Sequence, residues 1–172
     1  DELTAAQDAA NLVLAKSYTD ESLLGSVTIS ASSQIWRPNN SSNTSSVSYN
    51  YAYSDLGTTT AGVNGINQGF FASIPIPTSL YNTRMYLDGT QICYDAMHNA
   101  YIDFISLSHF QGTDGTQTAY YDYTNRNDEA CVKLMLPAAA ALSSDDYITL
   151  YMLVHFTDTD SFIRLRSSAV YL

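Results

Sequence analysis

One stretch of the chain contains the residue types that hydrolases use for nucleophilic catalysis: Asp103, Ser106, Ser108 and His109. A serine hydroxyl becomes a nucleophile when a histidine takes its proton and a carboxylate orients that histidine. Side chains on a strand alternate between its two faces, so Asp103 and His109 would share one face and the serines would point to the other. The sequence also lacks the nucleophile-elbow motif. We therefore expect no catalytic triad and no enzymatic activity.

A second stretch is rich in side-chain oxygen atoms and contains Asp122, Asn125, Asn127, Asp128 and Glu129. Calcium prefers such ligands, but the helix–loop calcium motif is absent, which favours solvated acids in a turn. No pair of carboxylates can be identified as the opposed acid and base of a glycosidase. We predict no metal and no cofactor, and calcium remains the alternative for this loop.

Tyrosine is the unusual residue, with 14 copies against one tryptophan. Its ring provides rigid contact area and its hydroxyl finds a polar partner, so tyrosine suits both binding surfaces and subunit interfaces. In the stretch VSYNYAY, alternation predicts one buried or interface face with Tyr49, Tyr51 and Tyr53. In a loop around residues 112–126, three tyrosines are candidate receptor contacts: Tyr120, Tyr121 and Tyr123.

The two cysteines, Cys93 and Cys131, both lie in strand-like sequence. A disulfide between strands is one alternative, in an oxidising compartment. Two buried thiols in a β core are the other. A structural zinc site usually needs four Cys and His ligands at set spacings, which this chain does not supply.

A polar loop carries three overlapping Asn-x-Ser/Thr triplets, which begin at Asn39, Asn40 and Asn43. Such triplets are acceptors for N-linked glycans in a host that glycosylates. They also arise readily in any loop rich in Asn and Ser. The three asparagines are therefore candidate glycosylation sites, with a plain polar loop as the alternative.

The composition narrows the class of protein. Of 172 residues, 45% are hydrophobic and only 14% are charged, which indicates a packed core rather than a disordered chain. The formal net charge of -10 repels nucleic-acid phosphates and anionic membranes. No apolar run approaches the roughly 20 residues that span a bilayer. We expect no nucleic-acid partner and no membrane insertion.

The first 25 residues differ from the rest, because Asp1 to about Ala15 is alanine-rich and helix-forming. An apolar stripe recurs at helical spacing at Leu3, Ala6, Ala10 and Val13. A short isolated helix is marginal in water, so this stripe needs a partner. It either packs on its own β domain or meets copies of itself, and we favour self-association through these four residues.

From Val27 onward, short alternating runs separated by turns predict eight or more strands. This pattern indicates an antiparallel β-sandwich of jelly-roll type. We predict two parts: a helix and connector over residues 1–25, and a sandwich over 26–172. Within the sandwich we expect a loop over residues 54–69, a hairpin turn at Asp88-Gly89 and one helical turn over 137–142.

The segment AAQDAANLVLAKSYTDESLLG resembles the alanine-rich helical connectors, with a Tyr-Thr-Asp step, that precede distal domains in bacteriophage tail and head fibres. The β part is similar to the jelly-roll heads of trimeric fibres and of the tumour-necrosis-factor-like group, on strand count and on the final apolar strand SSAVYL. The resemblance implies a homotrimer, a fibre or filament role, and attachment to a cell surface or a virion. It carries over no active-site residues.

Together these observations predict a structural or adhesive subunit of a fibre, filament or virion appendage, located outside the cell or on a virion surface. Its expected partners are copies of itself, as a trimer or polymer, and a cell-surface glycan or protein receptor. The alternative from another class is a secreted carbohydrate-binding module, or a glycan-acting enzyme, with a sandwich fold.

Overall fold

The computed structural model describes residues 27–39, 44–60, 65–77, 79–80, 83–112 and 115–172. These residues form two antiparallel β-sheets that pack face to face, with a short 3₁₀ turn at Ser33–Ile35. The predicted antiparallel, jelly-roll-like sandwich is therefore confirmed. The predicted N-terminal helix, its stripe of Leu3, Ala6, Ala10 and Val13, and the domain boundary at residue 25 lie outside the described residues.

The larger sheet has six strands, in the order β11, β8, β13, β4 and β3, with β1 paired to the remaining length of β13. Its strands are β1 (Thr28–Ala31), β3 (Ser45–Tyr49), β4 (Ser54–Thr58), β8 (Tyr86–Met97), β11 (Glu129–Ala141) and β13 (Phe162–Tyr171).

The smaller sheet has five strands, in the order β10, β9, β12, β5 and β2. Its strands are β2 (Arg37–Pro38), β5 (Ile66–Ile74), β9 (Tyr101–Phe110), β10 (Gln117–Asp122) and β12 (Tyr147–Phe156). A separate two-stranded ribbon joins β6 (Ser79–Leu80) to β7 (Thr83–Arg84).

The central strand β12 shows why the sequence YITLYMLVHF folds in this way. Its even-numbered side chains are all fully buried between the sheets: Ile148, Leu150, Met152, Val154 and Phe156. Each such burial contributes about 2 kcal/mol, so a slip by one residue would expose the whole set. The odd-numbered side chains of β12 must therefore lie on the outer face of the five-stranded sheet.

The predicted loop over residues 54–69 is wrong, because β4 and the start of β5 occupy most of it. Polar side chains hide the strand pattern here, since several of them are buried and satisfied by backbone groups. The Ser54 hydroxyl donates to the Ser33 carbonyl at 3.0 Å, and the Thr58 hydroxyl donates to the Thr44 carbonyl at 3.0 Å. In the sequence alone a serine favours a loop, because the hydrogen bond that allows it to be buried in a strand is not visible there.

Two other local predictions are also wrong. Asp88-Gly89 is not a turn, because β8 runs straight through it; a Cβ on Gly89 would collide with the Leu134 carbonyl oxygen of β11. The glycine therefore permits close approach of two strands. The predicted helical turn over 137–142 is extended chain up to Ala141, where Pro137 is tolerated because β11 is an edge strand with an irregular register.

The strand that contains Tyr49 is also shorter than the alternation predicts. Strand β3 ends at Tyr49, and Tyr51 lies in a bend with its side chain fully exposed. Tyr49 is held at the strand end, where its hydroxyl donates to the Trp36 carbonyl at 2.9 Å. The three tyrosines therefore do not form one buried face.

Cys93 and Cys131 form a disulfide, directly opposite each other on β8 and β11. The bond ties the edge strand β11 to the body of the six-stranded sheet. Within the part of the chain that the structure describes, no helix is long and apolar enough to cross a membrane.

We predict that replacing both cysteines with serine lowers the free energy of unfolding by about 3 kcal/mol, since the bond closes a loop between residues 38 apart in sequence. Urea denaturation of the wild type and of the double variant measures the difference. The reductant-treated wild type is the control and should match the variant. A difference below about 1 kcal/mol would contradict the prediction.

Candidate functional site

The outer face of the five-stranded sheet carries an open groove of about 460 Å³. We call this depression the groove throughout. Its lining comes from four strands and from the residue that follows β2: Asn39, Phe71, Phe104, Ser106, Ser108, Phe110, Gln117, Tyr121, Thr149 and Tyr151. Half of these side chains are aromatic and half are neutral and polar.

The groove exists because small side chains lie between large ones. On β9, Ser106 and Ser108 stand between Phe104 and Phe110, all on the outer face. Strand pairing puts Tyr151 opposite Ser106, and Thr149 opposite Ser108. Short hydroxyl side chains therefore form the floor, and aromatic rings form the walls.

The aromatic walls form one connected cluster around Phe104. Its ring centre lies 5.6 Å from that of Tyr151, 6.1 Å from Tyr121 and 5.5 Å from Tyr123. Tyr121 and Tyr123 stack on each other at 5.5 Å. Such contacts restrict the rings, so the apolar surface is presented with little loss of side-chain entropy on binding.

A second stacked pair adjoins the groove through Phe110, which lines it. The rings of Phe110 and Tyr147 are nearly parallel, with centres 4.6 Å apart. Tyr147 remains about half exposed, at 49%. This pair therefore extends the aromatic surface beyond the groove.

The polar part of the groove is neutral. The Gln117 side-chain amide donates to the Ser108 hydroxyl at 3.1 Å, which orients both groups. Among the described residues that line the groove, none carries a formal charge, although the chain as a whole carries -10. The groove therefore offers hydrogen bonds and apolar rings to a ligand, without the field of a formal charge in its lining.

The structure places the three predicted receptor tyrosines on a strand and its end, rather than in a loop. Tyr121 lines the groove and Tyr123 stacks beside it, with exposures of 49% and 69%. Tyr120 pairs with the buried Leu107 and is itself half-buried, so it belongs to the opposite face. The role of all three in binding a receptor stays a prediction.

The residues of the hydrolase motif are separated. Ser106 and Ser108 face the groove, whereas His109 is buried on the inner side of β9 at 2% exposure. Asp103 lies in a β-bulge with no partner on β12. The carboxylate beside His109 is instead Asp146, whose Oδ2 lies 2.8 Å from the imidazole Nε2. This pair ties two loops together, since the Asp146 carboxylate also accepts from the Ser143 and Gly112 amides.

The oxygen-rich stretch after β10 is organised by an arginine. The Arg126 guanidinium donates to the Asp122 carboxylate, and the Arg126 backbone forms a bridge with Ile102. Hydrogen bonds from Thr124 and from Arg126 outweigh burial and lower the pKa of Asp122. No set of three or more His, Cys, Asp or Glu side chains within the described residues is arranged to hold a metal ion.

Of the predicted glycosylation sites, Asn40 and Asn43 lie outside the described residues. Asn39 lines the groove, and its backbone N–H donates to the Gly69 carbonyl at 2.7 Å. Glycosylation of these asparagines stays a prediction.

Sequence reasoning missed the residues that build most of the groove, including Phe71, Phe104, Gln117 and Tyr151. A signal was present on β12, where the even-numbered positions are all apolar and the rings of Tyr147, Tyr151 and His155 stand at every fourth position on the other face. Such a strand has one face for the core and a second face that places aromatic rings in a line outside the core.

Comparison with known proteins gives a likeness in structure only. No family model matches the chain, and no curated protein matches it. The xylan-binding module CBM15 is similar with a TM-score of 0.50 and 15% identity, over 86% of this chain and 97% of that one. A chain of the Gap123 glycosylation-associated complex from Streptococcus agalactiae is similar at 0.50 and 10% identity. It is matched over 86% of this chain, which spans about a quarter (26%) of that one.

The mannan-recognising module TmCBM27 is a further similar structure, with a TM-score of 0.47 and 5% identity, over 85% of this chain and 97% of that one. The likeness to the two structures with a TM-score of 0.50 shows the sandwich fold alone. The comparisons contradict the main functional prediction, a fibre, filament or virion subunit, which is therefore wrong; the alternative, a carbohydrate-binding module with a sandwich fold, fits them better. The resemblance of residues 5–25 to fibre connectors lies outside the described residues.

We predict that Asp146→Ala lowers the free energy of unfolding at pH 7 by about 3 kcal/mol, because it leaves a buried imidazole and two amides without their acceptor. Burial raises the pKa of Asp146, but hydrogen bonds from His109, Ser143 and Gly112 outweigh it and the net shift is downward. A lowered folded-state pKa gives stability that is present above about pH 4 and lost as the pH falls further.

Urea denaturation at pH 7 and at pH 3 tests both parts of this prediction. The wild type should lose more stability than Asp146→Ala between the two pH values. Asp145→Ala, which removes the exposed neighbouring carboxylate, is the matched control and should behave like the wild type. An equal gap between wild type and Asp146→Ala at both pH values would show that ionisation of Asp146 does not contribute.

Proposed function

We propose that the protein is a carbohydrate-binding module that holds a neutral glycan chain in the groove. The observation that carries this proposal is the combination of exposed aromatic rings with a floor of neutral hydroxyl and amide groups. A sugar ring has an apolar C–H face, which packs on an aromatic ring, and a rim of hydroxyls, which donate and accept hydrogen bonds. The groove provides partners for both, side by side.

The charge pattern supports a neutral ligand. Acidic glycans would approach a chain of net charge -10 and would find no cation among the described residues that line the groove. A neutral glycan loses nothing by this arrangement, because Ser, Thr, Asn and Gln exchange hydrogen bonds with hydroxyls without desolvating a charge.

Binding without catalysis is part of the proposal. Glycoside hydrolysis generally uses two carboxyl groups that flank the bond to be cleaved. Among the described groove residues there is no Asp or Glu. The likeness to the xylan-binding module CBM15 adds support, since that protein has the same sandwich and its name records a polysaccharide ligand. An extracellular setting agrees with the Cys93–Cys131 disulfide.

Self-association stays a prediction, because its stripe, Leu3, Ala6, Ala10 and Val13, lies outside the described residues. Light scattering of the chain with and without residues 1–26 would decide it. The glycan proposal does not depend on the result, since every groove residue comes from one copy of the chain.

Affinity electrophoresis against xylan, β-1,4-galactan, mannan and mixed-linkage β-glucan tests the proposal. We expect at least one of these polymers to retard the protein. Tyr121→Ala and Tyr151→Ala should each weaken binding by roughly thirtyfold, the usual cost of truncating a central aromatic anchor. Tyr86→Ala is the matched control, because Tyr86 is equally exposed (47%) but lies on the other sheet.

Retardation by none of the four polymers would overturn the proposed function. Equal loss of binding in Tyr86→Ala would also contradict it, because the groove would then not be the binding surface.

A second prediction concerns Gly69, over which the Tyr151 side chain lies. A Cβ at this position would overlap the Tyr151 hydroxyl and the adjoining ring atoms. Tyr151 lies on the outer face, so Gly69→Ala should displace its ring from the contact with Phe104 without disturbing the buried core, and the variant should stay folded with a small fall in melting temperature. We expect glycan affinity to fall about tenfold, a loss of about 1.4 kcal/mol, as measured by isothermal titration calorimetry.

Ser73→Ala, on the same strand and outer face, is the control and should bind like the wild type. Unchanged affinity of Gly69→Ala would show that the position of the Tyr151 ring does not matter for binding.

A further inference from the structure

A second aromatic platform lies on the same outer face, beyond the groove. The rings of Tyr101 on β9 and His155 on β12 stack with centres 4.7 Å apart and an angle of 19° between them. These two residues are directly paired across the strands. Neither lines the groove, so the platform is a separate feature.

The Asp103 bulge is what brings Tyr101 to this face. Phe104 pairs with Leu153 and Ile102 pairs with Val154, which leaves Asp103 without a partner. Tyr101 and Phe104 are three residues apart, so in a regular strand they would point to opposite faces. The extra residue restores Tyr101 to the face of Phe104, and bulges commonly re-aim a side chain in this way next to functional sites.

The His155 ring is held in position on two sides. Its Nδ1 lies 2.6 Å from the Asn67 side-chain oxygen, across the strand pair that joins β12 to β5. Gly65, at a backbone φ of +78°, passes so close to the ring that a Cβ there would overlap Nε2. Few other residues could occupy this position, because both the φ angle and the space favour glycine.

Polar groups lie next to the platform, as they do in the groove. A smaller cavity of about 240 Å³ is lined by Tyr101, Asn125, Arg126 and Asn127. The Asp122 carboxylate matches the Arg126 charge, and Arg126 Nε is buried without a hydrogen-bond partner among the described residues. The exposed side-chain amides of Asn125 and Asn127 add further polar groups. An aromatic surface beside neutral polar groups is again suited to a sugar ring.

The Tyr151 ring in the groove and the Tyr101–His155 platform are in line along β12. Tyr151 and His155 are four residues apart on one face, which corresponds to a separation of about 13 Å. Leu153 is the one outward-facing residue between them on that strand, and it is half-buried. A linear chain that lies on Tyr151 would therefore reach His155 if it continued along the strand.

We propose that the Tyr101–His155 platform is a second subsite for the same glycan. The ligand is then an unbranched neutral chain that lies in the groove and extends to the platform. This inference rests on the proposed function of the groove. It specifies a segment of a polysaccharide rather than a single sugar, because the separation of about 13 Å between Tyr151 and His155 needs several consecutive sugar rings to span it.

Calorimetric titration with xylotriose and xylohexaose tests the proposal, or with the corresponding pair from whichever polymer retards the protein. For the wild type we expect the hexasaccharide to bind at least tenfold more tightly than the trisaccharide. Tyr101→Ala should remove most of this gain and leave trisaccharide affinity within twofold of wild type. Tyr101→Phe, which keeps the ring, should keep the gain, and His155→Ala should behave like Tyr101→Ala.

Thermal melting of each variant checks that it is folded. A full gain from chain length in both Tyr101→Ala and His155→Ala would overturn the second subsite while leaving the groove as the binding site. An equal loss of affinity for the trisaccharide and the hexasaccharide in these variants would also overturn the second subsite. Absence of binding by the wild type at either length, together with no retardation by any polymer, would instead show that the proposed function is wrong.

Discussion

Strand β12 lies at the centre of the five-stranded sheet, and its even-numbered side chains from Ile148 to Phe156 are fully buried against the six-stranded sheet. This burial fixes the register of β12 with both of its neighbours, because a slip by one residue would turn five apolar side chains to water. Once the inner face is fixed, the outer face has no freedom: Tyr147, Tyr151 and His155 must stand in one line. The functional surface is thus a consequence of the core.

The two outer faces of the sandwich differ in character. On the six-stranded sheet, charged side chains pair across strands, as in Arg164–Asp55 and Arg166–Asp95. On the five-stranded sheet, the groove is aromatic and neutral. These ion pairs are solvated and contribute little to stability, as is usual on a solvent-facing surface. The six-stranded sheet also exposes single tyrosines, Tyr49 and Tyr86. On the five-stranded sheet, by contrast, aromatic rings line a neutral groove, which is why we place ligand binding there.

The bulges show how a regular sheet acquires a particular surface. On β9, the unpaired Asp103 shifts the alternation of the strand by one residue, so that Tyr101 and Phe104 lie on the same face. On β13, a similar shift between Leu165 and Ser167 leaves Arg166 unpaired in the ladder, where its guanidinium donates to Asp95 and Glu129. In each case one extra residue changes which side chains reach the outside while the core on either side stays intact.

The alternating runs after Val27 were sufficient to predict an antiparallel sandwich, because the period-two pattern of strands such as β12 is imposed locally by burial of one face. They also singled out Tyr121 and Tyr123 as exposed aromatic residues, although on a strand rather than in a loop. The assembly of the groove was decided only by tertiary structure. Ser106, Phe71 and Tyr151 are far apart in the chain and meet through strand pairing, which depends on contacts that no local pattern records. The same holds for Tyr101, whose face is set by a bulge, and for His109, whose partner Asp146 comes from a distant turn.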